Sequence, residues 1–491
     1  MPTSLHSLLF STVFLALLPF VLATSAYYDI STLLSGGVFL PDSSAYKASI
    51  SSYFFLNARE SPACIVAPTT AEDVARVVKR LSSCGKQQVA VRSGGHSPNQ
   101  GFANTDSGVT LDLRGLNKIT LHEPAADVVS VGTGALWRHV YAVLDPLNRS
   151  VVGARVASVG VGGFLTGGGL SFFSPRYGFG CDSVLNMQVV LANGSIVNAN
   201  ATSNPDLFRA LKGGQSNFGI VTRFDLVTYP QPEYWGGAIQ YPGSANEAQL
   251  SAFESFKTAP YDGFAEIEQT YVYFGALETF SSTNNMFYTK PVVNASALRY
   301  FSDIRPQMAN TMRISNTSNF AKEIEKFQPT DQFAIYSTLS FPMSTGALRK
   351  VHSQWKDATS SIASLVPNIT SVLTLQDIPP PPTADAPQNS LPFTPDSTPH
   401  KDDVLVLFSL YWSDKANSAF IESVVKDLTV SIQQLVGDEV NFKYLNYAAA
   451  WQHPIRSYGK ATQEELVRVA RRYDPNSFYQ KVVSGGFKLR M

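Results

Sequence analysis

Two short glycine-rich segments constrain this chain more than any other feature. Arg92-Ser93-Gly94-Gly95-His96-Ser97 follows the strand-like run Gln88–Val91, and Val159-Gly160-Val161-Gly162-Gly163, continuing to Thr166-Gly167-Gly168-Gly169, follows roughly sixty residues later. Glycine clusters mark places where φ turns positive or where another segment or a ligand must approach the backbone closely. Around them the pattern alternates. A helix is predicted over Ala71–Leu81 with Thr69 or Thr70 as cap, strands over Val89–Val91, Val109–Leu113 and Val128–Val131, and a helix over Leu136–Leu144. A strand at Met187–Leu191 is followed by an Asn193-Gly194 hairpin turn. These elements make an α+β unit.

A composition shift near Tyr229-Pro230-Gln231-Pro232 opens a second region of aromatic strand-like runs, such as Glu268–Phe274 and Val404–Trp412. Within those runs Tyr273, Tyr411 and Trp412 are candidates either for a hydrophobic cavity or for ordinary core. The proline-rich stretch from Ile378 to His400 reads as an extended surface loop or lid beside a substrate mouth. In Tyr444-Leu445-Asn446-Tyr447 a strand period of two predicts Tyr444 and Asn446 on one face, with Leu445 and Tyr447 on the other. An amphipathic helix is expected over Gln463–Tyr473.

With 44% hydrophobic residues in 491, the chain can bury a large core divided among two to four domains. Lys plus Arg and Asp plus Glu each total 38, and no basic run offers the footprint that nucleic acid or an anionic membrane needs. The apolar run Leu8–Ala23, ending in small residues, predicts a secretory signal over 1–26, cleaved after Ala23 or Ala26; with no charged residue before it, a retained anchor is the alternative. Sequons at Asn148, Asn193, Asn200, Asn294, Asn316 and Asn368 fit a secreted or secretory-pathway glycoprotein. Cys64, Cys84 and Cys181 suit no metal site; a Cys64–Cys84 disulfide and three buried free thiols both remain open. Oligomeric state is not encoded legibly.

The Arg92–Ser97 and Val159–Gly169 segments, with Gly213-Gly214-Gln215-Ser216-Asn217-Phe218-Gly219-Ile220-Val221-Thr222, resemble the vanillyl-alcohol oxidase superfamily of flavoproteins with a PCMH-type FAD-binding domain, in its fungal berberine-bridge-enzyme-like branch. The resemblance implies a two-subdomain FAD domain over 58–231 and a substrate domain on an antiparallel sheet with helices over 232–440. A C-terminal segment, 441–491, would return to the FAD domain.

The resemblance also implies FAD bonded through its 8α-methyl to His96, a link that makes the flavin a stronger oxidant. Arg92, Ser93, Gly94, Gly95 and Ser97 would frame that histidine. Val159, Gly160, Gly162, Gly163, Thr166, Gly168 and Gly169 would cradle the pyrophosphate with backbone N–H groups. Gly132, Gly134, Gly219, Ile220, Val221 and Asn446 are further cofactor contacts, and none of these segments has the spacing of a nicotinamide-binding fingerprint. Bicovalent relatives carry a cysteine where this chain has Val156, so a single link through His96 is expected. Val159 stands where the family controls oxygen access, and a valine there implies an oxidase, although core packing explains it equally well.

Tyr447 matches the family's candidate base, which takes the substrate proton as the hydride leaves. A free tyrosine titrates near 10, so it needs a cation or donors nearby. The expected reaction is oxidation of a small alcohol, phenol or amine with O2 as acceptor and H2O2 as product, in fungal secondary metabolism. A carbohydrate oxidase is the alternative, and the missing cysteine tips the expectation toward an enclosed, apolar substrate. A flavin-binding protein without turnover is the alternative of a different class.

Overall fold

A computed structural model describes residues 32–84, 87–124, 126–380, 388–393, 403–437 and 442–489, the side chains of Cys84 and Thr345 excepted. The expected signal segment and most of the proline-rich stretch lie outside the described residues.

Three principal sheets organise the chain. The first runs in the order Val38–Phe39, Cys64–Val66, Val109–Asp112, Val89–Arg92, and its last three strands are parallel. The crossover between Cys64–Val66 and Val89–Arg92 is the helix Ala71–Cys84. Thr70 caps it: Thr70 Oγ1 accepts from Asp73 N–H at 3.1 Å while the Asp73 carboxylate accepts from Thr70 N–H at 3.1 Å. Val74, Val77, Val78 and Leu81 follow the helical period and bury against Cys64, Val66, Val109 and Leu111. Each such side chain contributes about 1.5–3 kcal/mol. Cys64 keeps a free, buried thiol, so the Cys64–Cys84 pairing is not made.

The second sheet is antiparallel throughout, in the order Ile119–Leu121, Val128–Gly132, Ile220–Val227, Val184–Val190, Ile196–Asn200. The Asn193-Gly194 turn links its last two strands, with Gly194 at φ +83°.

The third sheet has eight strands, all antiparallel. Its path is Ala309–Asn310, Tyr234–Pro242, Thr279–Tyr288, Ala265–Phe274, Thr370–Asp377, Asp403–Trp412, Phe333–Pro342, with Arg313–Ser315 also pairing to Tyr234–Pro242. One face carries the apolar side chains and is covered by the helices Asn246–Thr258, Thr345–Ala363 and Ser418–Val436, which contribute Phe253, Trp355 and Val425 to a shared core. The other face is left for a cavity.

The C-terminal stretch returns to the first two sheets. Helix Lys460–Tyr473 lies on helix Pro205–Gly214 through Arg209–Glu465 and Tyr473–Asp206 contacts of 2.6 and 2.8 Å. Val483 then pairs with Val89, extending the first sheet beyond its parallel edge.

Two local expectations fail. Residues 444–447 do not form a strand: they have no partner strand, and Leu445–Tyr447 closes into a 3₁₀ turn. The described parts of the proline-rich stretch, 378–380 and 388–393, are mostly buried and not a surface loop. Leu391 and Phe393 are buried, Phe393 stacks on Phe179, and Ser390 N–H donates to Lys212 O, because apolar side chains in a polar stretch draw the chain inward. The sequons divide as well. Asn148, Asn193, Asn294 and Asn368 are exposed. Asn200 Nδ2 donates to Asn186 Oδ1, and Asn316 Oδ1 caps helix Thr317–Lys326.

Candidate active site

A cavity of about 530 Å³ separates the glycine segments from the open face of the eight-stranded sheet. Its two walls are built differently.

The first wall is mostly backbone. Gly94 and Gly160 meet so closely that a Cβ on Gly94 would lie 2.6 Å from Gly160 N, and one on Gly160 would lie 2.3 Å from Gly94 N. Gly95 sits at φ +77°, turning the chain so that the N–H groups of Gly94, Gly95, His96 and Ser97 donate to no acceptor among the described residues. Successive free N–H groups are an anion-binding nest. The second segment differs from expectation. It folds into helix Val161–Thr166, and its Val161 and Gly162 N–H groups donate to Ala135 O and Thr133 O, so those two are not available to a ligand. Gly163 faces open space on the cavity wall, beside Val159, Gly160, Gly162 and Thr166. Ser93, Gly219, Ile220 and Val221 line it too.

His96 is the one ionisable side chain of the loop on this wall. Its ring stacks on Phe54 with centroids 4.0 Å apart and meets Phe55 edge-on at 5.7 Å, while Nε2 is buried without a partner. Burial lowers its pKa to about 4, so the imidazole is neutral, with a ring nitrogen free to react.

Several expected contacts lie off the cavity for packing reasons. Arg92 is fully buried behind the loop, donating to Ser49 O at 2.7 Å and Ser52 O at 3.0 Å with its guanidinium over the Tyr53 ring; it ties helix Ser44–Ser51 to the histidine loop. Gly132 and Gly134 have no room for a Cβ, which would lie 2.1 and 2.0 Å from Leu116 O and Leu113 O; only Thr133 between them reaches the wall. Gly168 and Gly169, both at positive φ, pack under Tyr444 and Phe164.

The second wall is side chain. Period two aims Glu268, Thr270, Val272 and Phe274 into the cavity, with Thr374 and Asn285 from neighbouring strands. The same period separates the aromatic candidates. Tyr411 lines the cavity with its hydroxyl 3.1 Å from that of Tyr336, whereas Trp412 and Tyr273 point to the helix side, against Phe333 and Phe280. This wall mixes hydroxyls and amides with Val272, Phe274, Val372 and Leu407, while a larger apolar set occupies the helix-covered face.

Between the walls stands the turn at 445–447. In a 3₁₀ turn residues three apart share a side, and Tyr444 and Tyr447 accordingly meet with centroids 4.8 Å apart. Asn446 Nδ2 donates to Phe164 O and to Tyr444 Oη, both at 3.1 Å. Tyr447 Oη accepts from Arg155 Nη2 at 3.0 Å, and Arg155 Nη2 also donates to Gln376 Oε1 at 2.6 Å.

Arg155 is buried between Glu266 and Glu268, at 2.5 and 3.0 Å. Burial pushes the Tyr447 phenol up, and Arg155 is the largest opposing pull. The cation that Tyr447 required is therefore Arg155, missed on sequence. Its signal was present: it is the only charged residue between Val151 and Phe173. Glu266 and Glu268, two apart on one strand, were the complementary signal.

Among the described residues no group of three His, Cys, Asp or Glu side chains could hold a metal, and no helix is long and apolar enough to cross a membrane. The orphaned His96 Nε2, the free N–H nest and the open space at Gly163 do fit a flavin dinucleotide.

The profile of an FAD binding domain matches residues 62–200. An FAD-dependent monooxygenase of Cercospora beticola is 35% identical over 494 residues, covering 93% of this chain and 90% of its own. The chain belongs to the FAD-linked oxidoreductase family. The oxidoreductase also shares its fold with 6-hydroxy-D-nicotine oxidase of Arthrobacter nicotinovorans, with a TM-score of 0.77 at 20% identity, 93% of this chain and 98% of that one. Glucooligosaccharide oxidase of Acremonium strictum, which carries 6-S-cysteinyl, 8α-N1-histidyl FAD, gives 0.73 at 22% identity, covering 93% and 99%. The oxidoreductase thus has the mixed α+β fold of PCMH-type flavoprotein oxidases.

Proposed function

We propose that this FAD-linked oxidoreductase is an oxidase that removes two electrons from a small alcohol, phenol or amine and passes them to O2, giving H2O2. Bound FAD would supply the hydride acceptor. His96 would hold it by one covalent bond, since Val156 on the cavity wall offers no thiol. The N–H groups of Gly94 to Ser97 would take the pyrophosphate charge, which lets a chain of zero formal charge bind a dianion. Val159 lines the cavity where oxygen access would be set. Tyr447 would accept the substrate proton at Oη, with Arg155 stabilising the phenolate. The observation that carries this reading is the Arg155–Tyr447 contact, a phenol hydrogen-bonded to a buried guanidinium on the same cavity as the histidine loop.

The oligosaccharide oxidase reading keeps one specific support, the hydroxyl- and amide-bearing sheet wall. The secretory route and a place in fungal secondary metabolism rest on the sequence reading alone.

The test is denaturing precipitation of the holoenzyme with mass analysis of the His96 peptide, followed by peroxide detection under ¹⁸O2 over a panel of phenols, alcohols, amines and oligosaccharides. Flavin on His96 and unlabelled product with stoichiometric H2O2 support the oxidase. Label in the product would assign a monooxygenase, and flavin in the supernatant would remove the covalent link.

A further inference from the structure

Behind the Arg155 cluster, away from the main cavity, lies a second cavity of about 20 Å³ lined by Arg155, Glu266, Gln376, Asp377, Ser171, Ser174 and Tyr261 among others. That volume holds one water. Glu266 and Gln376 each leave one buried atom, Oε2 and Nε2, without a partner, although Glu266 Oε1 and Gln376 Oε1 are both bound by Arg155. A water in that cavity is the partner both orphans require. Tyr261 at its rim is half exposed, so the site has a short way out to solvent. Glu266 does not line the main cavity.

The charge arithmetic gives the pair its meaning. One buried arginine faces two carboxylates and a phenol. With both carboxylates ionised the cluster is already negative, and Arg155 has no positive charge to lend Tyr447; with one protonated, it has. We propose that Glu266 is the protonated partner of Arg155, exchanging its proton with solvent through the small cavity, so that Arg155 keeps the field that lets Tyr447 act as base. The inference rests on the oxidase reading for Tyr447 but not for Glu266 itself.

The other groups facing Glu266 agree with this role. Glu268 on the same strand and Asp377 on the neighbouring strand oppose a second negative charge, the neutral phenol of Tyr261 stands at the cavity rim, and Lys257 is engaged by Asp377 at 2.6 Å. Tyr234 lies within electrostatic reach and is itself deeply buried. Burial is the largest influence on Glu266 and drives it well above the ordinary carboxylate range, against the pull of Arg155. Glu266 is a positioning residue, acting on the chemistry through Arg155.

The experiment reads the carboxyl directly and then its consequence. Infrared spectra of the holoenzyme in H2O and D2O should show a protonated carboxyl at neutral pH that persists in Glu268→Gln, disappears in Glu266→Gln and fades in the wild type as pH rises. Flavin reduction, with the substrate returned by the peroxide panel, should then be similar in wild type and Glu266→Gln at neutral pH. At alkaline pH the variant should be at least about tenfold faster, because it cannot acquire the second negative charge. No protonated carboxyl at neutral pH, or a band that survives Glu266→Gln, overturns the proposal. So do superimposable pH profiles. Should Glu266→Gln not fold, absence of any protonated-carboxyl band in the wild type still overturns the proposal and Glu266→Asp, which should shift the band rather than remove it, assigns it, even if no substrate yields peroxide.

Discussion

The two walls of the cavity differ in what they are made of. The histidine loop and the segment facing it are backbone surfaces: their N–H groups, positive φ values and glycine contacts do the work, and the residues concerned are contiguous in the chain. The opposite wall is a mosaic of side chains, Arg155, Glu268 and Tyr447 among them, brought together from segments up to 292 residues apart. A wall of backbone fits what every member of a family binds, since it depends on no side chain. A wall of side chains can change one residue at a time, and it is where a particular substrate would be selected.

If that division is right, the walls fail in different ways. Tyr447→Phe should lower the rate of flavin reduction about 10²- to 10⁴-fold with flavin content and melting temperature unchanged. The wild-type rate should rise with pH, because Tyr447 is pushed up by burial and works only after losing its proton. An unchanged rate in Tyr447→Phe would move the base to Glu268, the carboxylate on the same wall.

Arg155→Met tests whether the side-chain wall holds itself together. Removing the guanidinium leaves the Glu268 carboxylate without its counter-charge and Glu266 without its hydrogen-bond donor, which should cost about 3–5 kcal/mol. Thermal unfolding of the holoenzyme measures it, and adding Glu268→Gln should recover part of the loss. No loss at all would mean that water already neutralises the cluster.

His96 sharpens the comparison from the other side. Its folded pKa is about 4 and its unfolded value about 6.5, so between those pH values the unfolded chain binds a proton that the folded chain refuses. Stability of the flavin-free protein should therefore rise with pH across that window, by at most about 3 kcal/mol from this residue. His352 is shifted the same way, so the quantity to read is the difference between wild type and His96→Gln in urea unfolding at pH 4.5 and 7. Equal slopes would place His96 in a wetter setting than its stacking on Phe54 indicates.

Gly160→Ala probes the backbone wall itself. A methyl group 2.3 Å from Gly94 N must force the two segments apart, at a cost of about 1–3 kcal/mol, with flavin content falling further than stability. Flavin loading equal to wild type would show that the close approach is not what shapes the site.

The same contrast explains what could be read in advance. The helix Ala71–Cys84, the hairpin at Asn193-Gly194 and the histidine loop were legible because local period, turn chemistry and contiguous glycines encode them. Arg155 was visible as a lone charge but had no readable partner, since its carboxylates arrive through sheet register more than a hundred residues away. Residues 444–447 misled for a related reason: alternation predicts a strand only where a neighbouring strand exists to pair with it, and none does.

Val156 stands where the two walls meet, and it offers the mildest perturbation. It is half-buried on the cavity lining, in the segment between Arg155 and the Val159–Gly163 glycines. Val156→Cys removes little volume and should change stability by less than about 1 kcal/mol. If Val156 occupies the place of the cysteine in bicovalent relatives, the new thiol should form a second link to the flavin. Denaturing precipitation followed by mass analysis would find the cofactor joining the His96 and residue 156 peptides. If the peptides stay separate, the backbone wall holds the cofactor in a different register here than in those relatives, and the assignment of Val159 to oxygen access, three residues further on, falls with it.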